Sequence, residues 1–391
     1  MKRNIIPFVI LIIALLLVYY SCGRNENNDI KILKLPESGE DMLKISSFAD
    51  TVVYIPLETT EISLIDNIKS LWMNDSVIII QCRDKLLMFN INGKFIRQIG
   101  KKGLGPGEYK RLNSFVVVRD TVYISTGDEF LRYTFNNTYC DEIRPGGFPL
   151  ECSSTTVDQK LAIYNYTDGK VYVYNNRIPD TIIVEHGVET RLRYIYGVYV
   201  DKLFSYFQKT SSGLLFSNYL NDTVWNITGD KKEPAFILDT KYKLLPWDKQ
   251  AENYTMANKL EYIEQAKNYY FFNLVPVSSN MLIFQNPWID DKYFDNIYFH
   301  QAVYYVDAKT NDIKRFESIY DDIAGKQAIT WIYHTYSDNY LVGEISPFSL
   351  LKVRGNKSID SPSPAWINQT QTIKEDDNPI IILIKVKKDM Q

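Results

Sequence analysis

Short runs of β-branched and aromatic residues alternate with turn residues along most of the chain, and one short motif precedes several of these runs. The motif is an Asp, then Ser or Thr, then apolar residues, and its Asp residues are Asp50, Asp75, Asp120, Asp180 and Asp222. Successive copies lie between 25 residues (Asp50 to Asp75) and 60 residues (Asp120 to Asp180) apart. Spacings of about 40–50 residues are typical of four-stranded propeller blades. Because an Asp side chain accepts a hydrogen bond from the backbone two residues on, we interpret the repeated acid as a turn former.

The apolar runs group into six predicted blades, and turn pairs such as Asn92-Gly93 are strong hairpin signals between them. The predicted blades run over Ile68–Ile99, Phe115–Ile143, Thr156–Val184, about Tyr194–Leu238, Tyr269–Phe316, and Ile329–Glu344 followed by Ile380–Val386. Since propellers commonly close by pairing their two termini, we expect Asp50–Leu57 to complete the last blade. The sequence thus predicts an all-β, six-bladed β-propeller.

One segment departs from the strand pattern. In Lys249–Asn268, apolar residues recur near one helical face, and Asp248 is placed to cap the N-terminus. We expect an inserted helix in or after the fourth blade. Two interpretations are open: a rim decoration packed on a blade edge, or a lid over the channel.

The N-terminus has the layout of a secretory signal peptide. Lys2 and Arg3 precede an apolar run from Ile5 to Val18, and Tyr19, Tyr20, Ser21 and Cys22 follow it. A run of this length covers about 21 Å of a hydrocarbon core near 30 Å, so cleavage is favoured over a permanent span. Ser21-Cys22 resembles the lipobox of bacterial lipoproteins, in which this Cys carries the lipid. The predicted regions are a signal peptide (1–21), a tether and lead-in (22–49) and the propeller (50–391).

Composition narrows the classes of partner. The 391 residues are 45% hydrophobic and 14% aromatic, which suits a large β core, and the net charge is −3. This charge gives no electrostatic attraction to nucleic acid, and no basic stripe is visible, so nucleic acid is not an expected partner.

The spacing of Cys82, Cys140 and Cys152 fits neither a disulfide framework nor a zinc site. Cys140 and Cys152 are either buried thiols or a pair between neighbouring strands.

Three short motifs together resemble the six-bladed β-propeller lipoproteins of the Bacteroides group. They are Ile55-Pro56-Leu57-Glu58-Thr59, Gly103-Leu104-Gly105-Pro106-Gly107-Glu108-Tyr109 and Asp377-Asn378-Pro379. The resemblance covers about Val52 to Lys387. It implies a propeller related in form to NHL-repeat proteins, carried on a lipoprotein signal, and it implies no chemistry.

The glycine-rich segment matches neither a P-loop nor a dinucleotide-binding motif, so we expect no cofactor. It is either a tight crossing between blades that needs positive φ, or a loop presenting Glu108, Tyr109 and Arg111 at the channel mouth.

Trp288 is expected in a loop, where its ring suits a sugar face. His186, His300 and His334 lack neighbours at metal-ligand spacing, and no catalytic constellation is visible.

The sequence therefore predicts an exported lipoprotein anchored to the outer membrane through Cys22, facing the periplasm or the surface. Its propeller is expected to bind a glycan, a peptide or an envelope protein. The alternative is an envelope lyase or hydrolase with its site at the channel mouth, because a fold does not decide a function. A scaffolding role would instead predict large apolar patches on the outer blade faces.

Overall fold

Four-stranded antiparallel sheets repeat along the chain and form a six-bladed β-propeller. The computed structural model describes residues 30–36, 38–127, 129–144, 152–157, 159–165, 170–175, 178–184, 194–195, 198–199, 205–210, 213–218, 223–228, 231–239, 273–278, 281–290, 298–307, 310, 312–329, 331–337, 340–355 and 362–388. Backbone contacts join Ile32–Gln391 in one compact unit. Among the described residues, no helix has the length and apolar character needed to span a bilayer.

The strands follow the chain from blade to blade. The N-terminal strands are β1 (Ile32–Lys34), β2 (Glu40–Lys44) and β3 (Ala49–Pro56). Blade 1 contains β4 (Ser70–Met73), β5 (Val77–Cys82), β6 (Lys85–Asn90) and β7 (Phe95–Gln98). Blade 2 contains β8 (Ser114–Val118), β9 (Thr121–Ser125), β10 (Phe130–Thr134) and β11 (Tyr139–Ile143). Blade 3 contains β12 (Cys152–Val157), β13 (Lys160–Asn165), β14 (Lys170–Asn175) and β15 (Ile178–Val184).

The second half of the ring follows the same order after a small separate sheet of β16 (Tyr194–Ile195) and β17 (Val198–Tyr199). Blade 4 contains β18 (Ser205–Thr210), β19 (Gly213–Asn218), β20 (Thr223–Thr228) and β21 (Lys231–Asp239). Blade 5 contains β22 (Asn273–Ser278), β23 (Met281–Asp290), β24 (Tyr298–Asp307) and β25 (Ile313–Asp321), and β26 (Gln327–Ile329) pairs with β25. Blade 6 contains β27 (Trp331–Ser337), β28 (Tyr340–Ile345), β29 (Ile380–Val386) and β3. Helices α1 (Pro347–Gly355) and α2 (Pro364–Thr370) lie between β28 and β29.

The first strands of the blades surround the centre of the ring. β4, β8, β12, β18, β22 and β27 contact one another in this order, and β27 contacts β4 again. The ring closes because β3 pairs with β29 over the full strand, from Pro56 opposite Ile380 to Ala49 opposite Val386. The expected pairing of the two termini is therefore confirmed, and it removes an unpaired edge from blade 6.

Residues 32–44 also join the sheets. β1 pairs in parallel with β21 at the outer edge of blade 4, and β2 pairs in parallel with β25 at the outer edge of blade 5. Leu33 is buried in a cluster that contains Phe236 of blade 4 and Tyr304 of blade 5. Leu43 is buried in the next cluster, which joins blades 5 and 6. The segment that precedes the closing strand thus packs against two junctions between blades.

Packing on both faces explains why many strands are continuous apolar runs rather than alternating ones. In β5, Ile78, Ile79 and Ile80 are all fully buried. Ile78 and Ile80 belong to the cluster shared with blade 6, whereas Ile79 points the other way into the cluster shared with blade 2. Polar contacts add to these junctions, since Gln81 Nε2 donates to Leu112 O and Asn113 O at 3.2 and 3.1 Å.

The repeated Asp is not the general turn former that the sequence suggested. At the first corner the side chain that closes the turn belongs to Asn74, whose Oδ1 accepts from Ser76 N and Val77 N at 2.9 Å. Asp50 and Asp180 lie within strands β3 and β15. An amide oxygen one position earlier makes this kind of local bond, so the pattern located the corner but did not indicate Asn74.

Two strand boundaries differ from the prediction. The predicted strand from Thr156 to Tyr166 is two strands, β12 and β13, because the chain turns at Gln159, which has a φ of +59°. The first strand of blade 4 is β18, whereas Tyr194 belongs to the small β16–β17 sheet. The helix predicted for Lys249–Asn268 lies outside the described residues.

Candidate functional site

The connections between strands differ between the two ends of the propeller. Because strands in a blade alternate in direction, the turns from first to second and from third to fourth strand share one end. The turns of this kind that the structure describes, such as 74–76 and 91–94, are short. At the opposite end, which we call the loop face, the described connections include 57–69, 99–113 and, between β28 and β29, residues 346–355 and 362–379. Loops held on a rigid scaffold often carry binding residues, so the loop face is the candidate site.

Exposed apolar side chains mark the loop face. Ile62, Leu64, Leu104, Phe348 and Ile367 all expose more than two fifths of their surface, and all lie in its connections. The other large exposed apolar residues of the described chain lie in the N-terminal segment or on β7. Exposed apolar groups are typical of contact regions, so these connections are the candidate contact segments.

The glycine-rich segment crosses from β7 to β8, and we call Gly100–Arg111 the glycine loop. Gly100 and Gly107 adopt φ values of +61° and +72°. A Cβ on Gly107 would lie 2.8 Å from the ring of Tyr139, so another residue would meet both backbone strain and a clash. The interpretation as a tight crossing between blades that needs positive φ is confirmed.

Glu108 holds the glycine loop together from inside. Its Oε2 accepts from Gly105 N at 2.9 Å, and its Oε1 pairs with Lys101 Nζ at 2.7 Å. The hydrogen bond from Lys101 and then that from Gly105 lower the pKa of this carboxyl below its usual value. A Cβ on Gly103 would lie 1.9 Å from Oε2, so the carboxylate occupies the space that a side chain would need. The contacts of Glu108 are therefore within its own loop.

Tyr109 does not lie at the channel mouth. It is fully buried in the cluster between blades 1 and 2, and its hydroxyl donates to Asp84 O at 2.9 Å. Burial raises the pKa of this phenol. The expectation that Tyr109 contacts a ligand is wrong, because a ring with no exposed surface packs rather than binds. Arg111, at the end of the same loop, is exposed.

Trp288 lies on a strand, not in the loop that the sequence suggested. It is part of β23 and stands opposite His300 of β24. The pairing of β23 with β24 continues to Asp290, whereas the pairing of β23 with β22 stops at Gln285, opposite Asn273. The β23–β24 hairpin therefore projects beyond the inner strand β22 towards the loop face. His334 lies on the inner strand β27. Cys22 and His186 lie outside the described residues.

The cysteines and acids do not assemble into a metal centre in the described part of the chain. No group of three His, Cys, Asp or Glu there is placed to hold a metal ion. Cys82 is a buried free thiol, and Cys140 is an exposed free thiol. Cys140 is therefore neither buried nor paired with Cys152.

A buried polar cluster that the sequence did not reveal joins blades 5 and 6. Asp321, with no exposed surface, accepts from the Tyr54 hydroxyl at 2.7 Å and from the backbone N–H groups of residues 323, 324 and 325. Gln327 Nε2 donates to Tyr54 Oη at 2.8 Å. Burial and the charge of Asp321 raise the pKa of Tyr54. Because four donors satisfy the carboxylate, we interpret this cluster as structural.

The comparisons with known proteins identify the family. A family model described as a domain of unknown function, DUF4934, matches residues 30–385. The chain belongs to the DUF4934 family. A search of curated proteins gave no significant match.

A solved structure shares the architecture of this DUF4934 chain. A Bacteroides fragilis protein that is described as exported has 17% identity and a TM-score of 0.67, covering 92% of this chain and 100% of its own. Weaker matches are the extracellular domain assigned to a one component system of B. thetaiotaomicron (13% identity, TM-score 0.39, 74% of this chain and 32% of its own) and a Bacteroides caccae protein of unknown function (11%, 0.36, 69% and 82%). The first match supports the six-bladed propeller; the lipoprotein and NHL-like parts of the resemblance stay predictions.

Two of the motifs that carried the resemblance meet at one buried side chain of this DUF4934 domain. Asn378 Nδ2 donates to Glu58 O and Ser63 O at 2.8 and 2.9 Å, and its Oδ1 accepts from Ile65 N at 2.8 Å. Its own N–H donates to Thr59 Oγ1 at 2.8 Å. The contact fastens the 57–69 connection of the loop face beside the ring closure, so these motifs have a structural role.

Proposed function

We propose that this chain is an exported, lipid-anchored propeller of the bacterial envelope that binds a glycan, a peptide or a protein partner through its loop face. The observation that carries the proposal is the difference between the two ends of the ring. Within the described residues, one end has short hairpins, whereas the other has the long connections 57–69 and 99–113 and connections that carry exposed apolar side chains. A rigid scaffold with one elaborated face is suited to recognition.

Export and anchoring are supported by the N-terminal pattern of charges, apolar run and Cys22. Lipids attached at this residue would hold the protein stably at a membrane, because two or more chains exceed the marginal affinity of one. The proposed location is the outer membrane. The proposal predicts that Cys22→Ser prevents incorporation of an alkyne-labelled fatty acid in cells and releases the protein from the membrane fraction. Unchanged labelling of this variant would contradict lipidation at Cys22.

The binding proposal is tested with the chain from residue 23 onward, which contains the whole compact unit from Ile32. The melting temperature is measured against oligosaccharides, peptides and divalent metals. A ligand at 100 times its Kd adds about 2.7 kcal/mol to the free energy of unfolding, which is readily detected. A reproducible shift with a glycan or peptide supports the proposal.

A substitution on the loop face then shows whether the ligand binds at that end of the propeller. Loss of the shift on Phe348→Ser, with the shift kept on Ile96→Ser, would support the loop face; the reverse pattern would contradict it. A shift with a metal that a chelator reverses would favour the lyase or hydrolase alternative. No shift across the panel would leave a protein partner as the remaining ligand class to test by binding measurements.

A further inference from the structure

The glycine loop holds one apolar side chain in solvent on a fixed backbone. Leu104 is 84% exposed. The segment around it is fastened by Gly103 N to Tyr109 O at 3.1 Å, by Glu108 N to Gly105 O at 2.9 Å, and by the Glu108 carboxylate. A loop that is already ordered loses little conformational freedom when a partner binds, so its contacts are converted into affinity efficiently.

The neighbouring connection adds apolar surface through a shared hairpin. Ile62 and Leu64, in connection 57–69, are 62% and 50% exposed. Lys85 Nζ lies 3.3 Å from Ile62 O, and the adjacent Asp84 accepts from Lys102 Nζ at 2.6 Å. The hairpin between β5 and β6 therefore contacts both connections and joins them into one surface. We call Ile62, Leu64, Lys85, Leu104, Lys110 and Arg111 the blade 1 patch.

The charge around this patch is opposite in sign to that of the whole chain. Segments 57–69, 83–85 and 99–113 contain seven basic and five acidic residues, whereas the chain has a net charge of −3. Three of the acids are neutralised by ion pairs: Asp66 with Arg83, Asp84 with Lys102 and Glu108 with Lys101. The other two are Glu58, which accepts from Phe95 N, and Glu61.

The basic charge lies beside the exposed leucine. Lys110 and Arg111 are exposed and form no ion pair with another described residue. Lys110 follows Tyr109, whose carbonyl is bonded to the N–H of Gly103 next to Leu104. The Gly103–Tyr109 bond therefore brings the start of the Lys110-Arg111 pair beside the backbone that carries Leu104. Charge complementarity of this kind favours acidic partners and accelerates association.

A protein segment fits the patch better than a lipid surface. Burial of one leucine side chain contributes about 1.5–3 kcal/mol, which is small beside the contribution of an acyl chain at about 0.8 kcal/mol per CH₂ group. A fluid bilayer also gains nothing from the fixed spacing of the leucine and the cations. An acidic peptide with an apolar side chain matches both features at fixed distances.

We propose that the blade 1 patch is a docking site for an acidic protein segment that places an apolar side chain against Leu104. The inference rests on the proposed function of the loop face and names the chemistry of one partner there. Of the residues predicted from the sequence for the glycine loop, it keeps Arg111 and replaces Glu108 and Tyr109 with Leu104 and Lys110.

The test selects, from a random displayed library, peptides that bind the full chain in detergent micelles. The selection is made at low and at high salt. The patch variant combines Leu104→Ser, Lys110→Glu and Arg111→Glu. The matched control combines Ile32→Ser and Lys34→Glu, which changes an exposed apolar residue and an exposed cation on β1, at the outer edge of blade 4. Melting temperatures of both variants are measured first, because a variant that unfolds is replaced by its single substitutions.

The proposal expects enriched peptides to contain Asp or Glu beside an apolar residue, to bind the patch variant at least tenfold more weakly, and to bind the control variant unchanged. Binding should weaken as salt is raised, because exposed charges are screened. Enrichment of neutral or basic peptides, or no enrichment, overturns the proposal. Slower amide exchange of residues 100–111 in phosphatidylglycerol nanodiscs than in phosphatidylcholine nanodiscs, without acidic peptides, would assign the patch to a membrane and also overturn it. A selected peptide that binds the patch variant unchanged refutes this site alone, whereas the ligand panel tests loop-face binding separately.

Discussion

Replacement of Asn378 by Ala should destabilise the protein strongly, although the side chain is small and remote from the centre of the ring. Asn378 is 1% exposed, and its amide bonds to Glu58 O, Ser63 O and Ile65 N. In the variant, Glu58 O keeps the bond from Ser63 Oγ at 2.8 Å. Ser63 O and Ile65 N lose the bonds that Asn378 supplied.

The magnitude follows from these two buried groups. An unsatisfied buried donor or acceptor costs about 1–3 kcal/mol, so the two together should lower the free energy of unfolding by about 2–6 kcal/mol. Asn378→Asp keeps an acceptor for Ile65 but places a carboxylate against two carbonyl oxygens. It should therefore be no more stable than the Ala variant.

Urea unfolding followed by tryptophan fluorescence measures the difference, and linear extrapolation gives the free energy in water. Asn67→Ala is the matched control, since Asn67 lies exposed on the same connection, and its effect should stay within about 0.5 kcal/mol. A loss below about 1 kcal/mol for Asn378→Ala, or equal losses for the two variants, would refute the assignment of Asn378 as the fastening of this connection.

Three further predictions concern the glycine loop, the N-terminal strands and pH. Gly107→Ala should lower the free energy of unfolding by about 1–3 kcal/mol, because the new Cβ meets an aromatic ring at 2.8 Å at a φ of +72°; Gly105→Ala, without positive φ, should lower it less in the same urea titration. Leu33→Ala should cost about 2–5 kcal/mol because Leu33 is 1% exposed, whereas Ile32→Ala, at 58% exposed, should cost little by calorimetry. Burial raises the pKa of Cys82 to about 11 from 9.0, so its contribution is complete below pH 9 and is lost as the pH rises through about 11. The melting temperature should fall over this interval, and less steeply in Cys82→Ala; equal slopes would contradict a titrating buried thiol.

The architecture was predictable because it depends on features that repeat locally. β-branched runs mark strands, Asn92-Gly93 marks a hairpin, and Gly93 indeed adopts a φ of +81°. The pairing of the termini followed from a general need to close the ring. The sequence also located the first corner of blade 1, but not that Asn74 accepts hydrogen bonds there, because both Asn and Asp side chains are able to close such a turn.

The candidate site was harder to predict because its residues depend on distant neighbours. Tyr109 resembled a presented aromatic residue, yet its burial depends on Asp84 of an earlier hairpin and on the ring of Tyr133. Trp288 followed Pro287 and resembled a loop residue, but pairing with β24 keeps the segment in a strand. The cluster around Asp321 joins residues far apart in sequence, so no local pattern indicated it. Glu108 was found from its motif, although its contacts are internal to the loop.

Closure of the ring by the first blade-forming strand has a consequence for the order of folding. Ala49–Pro56 is synthesised long before its partner Ile380–Val386. Until β29 is available, β3 is an unpaired edge, and blade 6 lacks the strand that would join β28 to β3. Such non-local pairing is slow and exposes the growing chain to misassociation. A chain whose synthesis stalls before residue 380 would thus have an open ring, and chaperones would meet it as an unclosed propeller.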